Sequence, residues 1–108
     1  MIPTTSDEAL SVIRKWKEDK ARIRLVAYSK SFCFSFDCAV ISATEAEIGV
    51  QLTGQPRSVC AVRVSGCDFA FGADDVPGPE VEIGLQFDVG LTIMTPEAET
   101  ILLLEVPD

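Results

Sequence analysis

Apolar side chains recur at helical spacing within the first twenty residues. Four of them fall at positions i, i+3, i+4 and i+7 and form one stripe: Ala9, Val12, Ile13 and Trp16. Thr5 and Glu8 have the spacing of a capping box, which marks a helix start. The pattern predicts an amphipathic helix over about residues 6–20, anchored on a sheet by Val12, Ile13 and Trp16.

The hydrophobic period changes to two from residue 22 onward, which is typical of antiparallel strands with one buried face. The alternation predicts strands over about residues 22–29, 32–42, 47–53, 58–65, 67–71, 81–94 and 100–106. Residues 81–93 give the clearest signal, because all seven odd positions are apolar. A strand of that length would span roughly 43 Å, so Gly84 and Gly90 are expected to bend it.

A helix followed by short strands at regular spacing defines the expected fold class. We predict a single domain over residues 1–108, α+β and mainly β. Its N-terminal amphipathic helix packs on a strongly curved antiparallel sheet or on a small β-barrel of about six strands. A chain of this length can bury an independent core.

The last predicted strand is apolar on both faces. Ile101 and Leu103 share one face, whereas Leu102, Leu104 and Val106 share the other. Such a strand must be covered on both sides, by the helix, by a central position in the sheet, or by a second subunit. These five residues are therefore the predicted interface for self-association.

Charge is unevenly distributed along the chain. Residues 1–30 carry a net charge of +3 and residues 31–108 a net charge of −11, which gives −8 in total. A body this acidic repels a phosphate backbone, so we expect no nucleic-acid partner. No apolar run reaches the length of a membrane span and no secretory signal opens the sequence, so we expect a cytoplasmic protein without membrane contact.

Two missing residue types restrict the chemistry of the chain. It contains no His and no Asn, so it lacks Ser-His and Cys-His nucleophilic pairs and imidazole metal ligands. Phosphate-binding glycine loops, dinucleotide-binding glycine motifs and the nucleophile elbow are also missing. We therefore predict no catalytic residue, no cofactor and no metal, and a protein that is not an enzyme.

The four cysteines are read as small apolar fillers of the sheet. Cys33 and Cys38 lie five residues apart on one predicted strand, so they point to opposite faces and are too far apart for a disulfide. Cys38, Cys60 and Cys67 each share a face with apolar neighbours. Cys33 shares its face with Ser31, Ser35 and Asp37, so it is predicted to be an exposed thiol.

Three functional hypotheses follow from these patterns. The first is a non-catalytic protein-interaction module that self-associates as a homodimer or binds another protein. The alternative is a small-ligand-binding barrel, a carrier or sensor, because the predicted inner face is rich in phenylalanine: Phe32, Phe34, Phe36, Phe69, Phe71 and Phe87. The third is a thiol-dependent enzyme that uses Cys33.

Overall fold

The computed structural model describes residues 2–72 and 90–106. These residues form one helix and eight strands. In chain order the elements are β1 (Ile2–Thr4), α1 (Ser6–Asp19), β2 (Ile23–Tyr28), β3 (Cys33–Ala43), β4 (Glu47–Leu52), β5 (Val59–Arg63), β6 (Asp68–Phe71), β7 (Gly90–Met94) and β8 (Thr100–Glu105).

The ends of helix α1 are capped by its own sequence. The Thr5 hydroxyl accepts a hydrogen bond from the Glu8 backbone N–H at 3.2 Å, which satisfies one free donor of the first turn. The Glu8 carboxylate in turn accepts a hydrogen bond from the Thr4 hydroxyl. Lys20 ends the helix in the left-handed conformation, with φ of 53°. The predicted helix therefore agrees with the structure to within one residue.

All eight strands belong to one antiparallel sheet with the order β1-β6-β7-β8-β2-β3-β4-β5. Strand β8 lies in the middle of this order, between β7 and β2. Strands β1 and β5 form the two edges, and within the described ranges they do not pair with each other. The sheet is thus open, and the predicted closed barrel is not confirmed.

The strand count also differs from the prediction of about six. Each of the seven predicted ranges overlaps an observed strand, and the additional strand is β1, which pairs with β6. Three residues with Pro3 at the centre carry no readable period of two, so the sequence did not reveal β1. The part of the prediction that covers residues 81–89 lies outside the described residues.

The main core lies between α1 and one face of the sheet. Ile13 and Trp16 of the helix are buried there together with side chains from β2 to β8. The helix packs against both β3 and β6, which would be about 19 Å apart in a flat sheet. A 14-residue helix is about 21 Å long and spans that distance. The bend of the sheet follows instead from β5 and β6, which would be about 29 Å apart in a flat sheet although only residues 64–67 join them, a connection that reaches at most about 18 Å.

The other face of the sheet carries a second, smaller core. Val26, Leu102 and Leu104 are buried there, and Tyr28 packs against them at partial exposure. The Thr92 hydroxyl, which is also buried, donates a hydrogen bond to the Gly72 carbonyl at 2.7 Å. The apolar side chains at both parities of β8 are thus accounted for by its central position in a sheet that is buried on both faces.

No helix among the described residues has the length and hydrophobicity needed to cross a bilayer.

Candidate functional site

An apolar recess of about 480 Å³ lies at one end of the bent sheet. Its floor consists of the inward-facing side chains Leu25, Ala27 and Ile101 from the adjacent strands β2 and β8. One wall is edge strand β5 with the turn that follows it, and the opposite wall is the turn between β7 and β8. The cavity therefore lies where the two halves of the open sheet approach each other.

Two phenylalanines stand at the mouth of this cavity. Phe34 lies opposite Ala27 in the β2–β3 ladder, and Phe32 directly precedes β3. Both side chains are large, apolar and exposed, at 42% for Phe32 and 47% for Phe34. The two neighbouring rings form an exposed apolar patch at the opening of the cavity.

The phenylalanines form a stack that continues into the core. The ring centroids of Phe32 and Phe34 are 5.7 Å apart, and those of Phe34 and Phe36 are 6.2 Å apart with planes only 4° from parallel. Phe36 is partly buried and packs on the main core. Phe36 thus anchors the inner end of the stack in the core, and stacked rings of this kind stabilise one another.

Polar groups lie on the β7–β8 side of the mouth. The Thr95 hydroxyl accepts a hydrogen bond from the Glu99 backbone N–H at 3.1 Å, and Ala98 adopts a left-handed conformation with φ of 63°. Glu97 and Glu99 contribute to the lining of the cavity, and Arg63 contributes from the β5 side. The site is thus apolar at its floor and charged only at its rim.

Two of the four cysteines line the cavity. Cys60 lies on the inner face of β5, and Cys67 follows the β5–β6 turn, where its thiol donates a hydrogen bond to the Arg63 carbonyl at 3.6 Å. Partial burial, followed by the nearby Glu97 and Asp68 carboxylates, raises the pKa of Cys67. Its thiol therefore stays protonated at neutral pH and serves as part of an apolar wall.

The remaining two cysteines lie away from the cavity. Cys38 is fully buried in the main core, and burial, assisted by the charge of Asp37, raises its pKa to about 12. Cys33 is exposed at the start of β3, opposite Tyr28. Within residues 2–72 and 90–106, no group of three or more His, Cys, Asp or Glu side chains is arranged to hold a metal ion.

The side chains predicted as an interface on β8 do not form one exposed surface. Leu102, Leu103 and Leu104 are at most 2% exposed within a single chain. Ile101 is partly buried and belongs to the cavity floor, whereas Val106 is partly buried beyond the end of β8. The predicted helix anchors Ile13 and Trp16 are buried in the main core, and Val12 packs at its margin.

Sequence reasoning assigned the phenylalanines to the inner face but did not locate the cavity. Phe32, Phe34 and Phe36 do share a face with the buried Cys38, yet the first two remain exposed. The one sequence feature that pointed to this site was the run of three phenylalanines at a period of two. The walls contributed by β5 and by the β7–β8 turn come from segments far apart in the chain and gave no comparable signal.

Comparison with known proteins gave no match: no family model, no curated protein and no solved structure resembles this chain at a significant level.

Proposed function

We propose that the protein is a non-catalytic binding protein that holds a small apolar ligand in the cavity at the end of its curved, incompletely closed sheet. The observation that carries this proposal is the stack of Phe32 and Phe34, which leaves two half-exposed rings at the mouth of an apolar recess. A ligand in the recess removes both the rings and the floor from water, which is the main source of affinity for apolar compounds.

The size and lining of the cavity support this class of ligand. Its volume of about 480 Å³ falls within the range of small-molecule sites, which are mostly apolar with a few polar groups at fixed positions. Leu25, Ala27 and Ile101 supply the apolar floor, while Glu99 and Arg63 supply polar groups at the rim. Such a site suits a molecule with an apolar body and a polar end that remains near solvent.

The lining offers little support for catalysis. Efficient acid–base chemistry needs a group that titrates near neutral pH, and the chain has no histidine. Reactive cysteines usually have a lowered pKa, whereas the cavity thiol Cys67 has a raised one. The proposed role is therefore binding, as in a carrier or the sensing part of a regulator.

Titration with N-phenyl-1-naphthylamine, a neutral apolar fluorophore, tests the proposal. We expect saturable binding of one fluorophore per chain, with the fluorescence increase that accompanies transfer out of water. Replacement of Phe34 by Ala should weaken binding at least about tenfold, because the ring is worth on the order of 1.5 kcal/mol when it becomes fully buried.

Ile41→Ala is the matched control for this titration. Ile41 is 44% exposed, nearly the same as Phe34, but it does not line the cavity. Its replacement should leave the affinity for the fluorophore unchanged. Equal losses in the two variants would show that the fluorophore reports general surface hydrophobicity, and the absence of saturable binding would reject the proposal.

A further inference from the structure

Edge strand β5 directs a row of backbone hydrogen-bonding groups away from the sheet. The Leu52 N–H donates to the Ser58 carbonyl and the Val64 N–H donates to the Ala46 carbonyl, both at 2.9 Å. Hydrogen bonds in an antiparallel ladder alternate, so residues 58, 60, 62 and 64 face β4. The N–H and C=O groups of Val59, Ala61 and Arg63 therefore point outward, and no strand of the described ranges pairs with them.

The opposite edge of the sheet is protected, whereas β5 is not. Strand β1 is three residues long and carries Pro3 at its centre, which has no N–H to donate. Strand β5 contains no proline and no lysine, and its ladder with β4 has no bulge. Val59 is 63% exposed, and Ala61 and Arg63 are also exposed. Among the strands of residues 2–72 and 90–106, β5 is thus the edge that lacks these protections.

The charge around β5 allows two copies of an acidic chain to meet there. Residues 57–66 contain two arginines and no acidic residue, although the whole chain has a net charge of −8. Arg63 lies directly opposite Glu47 in the β4–β5 ladder, which balances the charge on this part of the sheet. The β5 edge therefore has none of the acidic side chains that give the chain its net negative charge, and Arg63 is the one charged residue of the strand itself.

We propose that β5 pairs with β5 of a second copy of this chain in a twofold, antiparallel arrangement centred on Ala61. In this register Ala61 faces its own counterpart, and Val59 faces Arg63 of the second copy, so no two arginines are directly opposed. The three outward-facing residues of each strand then exchange hydrogen bonds with one another. Because β1 is blocked by Pro3, the assembly closes as a dimer and does not extend as a filament.

Register-specific cross-linking tests this arrangement. Cysteine would be introduced at Ala61 in a Cys33→Ser background, which removes the exposed native thiol. Opposed residues of a hydrogen-bonded pair have Cα atoms about 5.5 Å apart, within the range of a disulfide. Mild oxidation of Ala61→Cys should therefore give a covalent dimer in non-reducing electrophoresis.

The control places cysteine at Val59 in the same background. Two copies of residue 59 would be separated by four residues along the strands, roughly 13 Å, which is too far for a disulfide. Cross-linking at position 61 but not at 59 is the expected result. Equal cross-linking at both positions, or none at position 61, would overturn the proposed register.

Light scattering coupled to size exclusion tests the assembly without cross-linking. The wild-type chain at tens of micromolar should have twice the mass of the 11.7 kDa monomer. Val59→Lys, which adds a charge to the open edge, should reduce the mass to that of the monomer. Ile2→Lys on the other edge is the matched control and should leave the dimer intact. A monomeric wild-type chain would reject the proposal but would leave ligand binding in the cavity untouched.

Discussion

Phe34 and Phe36 lie on the same face of β3 with nearly parallel rings 6.2 Å apart, yet Phe34 is exposed while Phe36 packs on the core. Their substitutions should therefore differ in stability. We expect Phe36→Ala to lower the free energy of unfolding by about 2–3 kcal/mol and Phe34→Ala by less than about 1 kcal/mol. Urea denaturation of the two variants measures the difference, and similar losses would show that Phe34 is structural.

The helix anchors offer a second comparison. Ile13 is fully buried between α1 and the sheet, whereas Val12 is only partly buried at the edge of the same core. We predict that Ile13→Ala costs about 2–4 kcal/mol of unfolding free energy and that Val12→Ala costs about 1 kcal/mol. Chemical denaturation followed by circular dichroism gives both values. A larger cost at Val12 would contradict the observed orientation of the helix.

Leu104 distinguishes an internal role for β8 from the predicted interface. Its side chain is 1% exposed within one chain, in the smaller core with Val26 and Leu102. Leu104→Ala should therefore lower the unfolding free energy by about 2–4 kcal/mol. The loss should persist in a Val59→Lys background, in which the proposed dimer is disrupted. If Leu104→Ala caused no loss of unfolding free energy in that background, Leu104 would instead stabilise the contact between two chains.

Gly49 is held against β3 by close packing. The β3–β4 ladder shifts register between Val40 and Ser42, and a Cβ atom at Gly49 would lie 2.5 Å from the Ser42 hydroxyl oxygen. Gly49→Ala should destabilise the wild-type protein by about 1 kcal/mol, because the hydroxyl must move.

The Ser42→Ala background removes the obstructing oxygen and provides the control for Gly49. In that background Gly49→Ala should be neutral or stabilising, since alanine restricts the unfolded chain more than glycine does. A double-mutant cycle measured by thermal denaturation would show this coupling. If Gly49→Ala lowered stability equally in both backgrounds, the steric conflict would not involve the Ser42 hydroxyl.

Cys38 should make stability depend on pH in the alkaline range. Its pKa is raised from 9.0 to about 12 in the folded protein, chiefly by burial. Above pH 9 the unfolded chain loses this proton while the folded chain keeps it, so the folded state binds more protons and stability falls as pH rises toward 12. The slope contributed by this one group approaches about 1.4 kcal/mol per pH unit.

Urea denaturation between pH 8 and 10.5 measures the contribution of Cys38. Replacement by Ala should reduce the slope, whereas Val40→Ala, which removes no ionisable group from the same core, should retain the wild-type slope. If the Cys38→Ala variant kept the wild-type dependence of unfolding free energy on pH, the pKa of the Cys38 thiol would not be raised in the folded protein.

The sequence predicted the local elements well because their signals are local. A stripe at helical spacing and a polar cap define α1, and the period of two defines the strands from β2 onward. It did not predict β1, whose three residues have no stable preference and become a strand only because β6 offers them a partner. The predicted interface on β8 rested on a two-sided apolar pattern, for which a central strand and a subunit contact are equivalent explanations.

The amino-acid sequence alone determined where α1 and the strands from β2 onward lie and which side of β3 carries the phenylalanines. The tertiary structure decided that Leu102 and Leu104 are buried within one chain, that β5 is an edge among the described strands, and that Phe34 lies at a cavity mouth. The physical reason is that periodicity records only the direction of each side chain relative to its own strand. What covers that side chain depends on strand order and on the bend of the sheet, and both arise from contacts between distant segments.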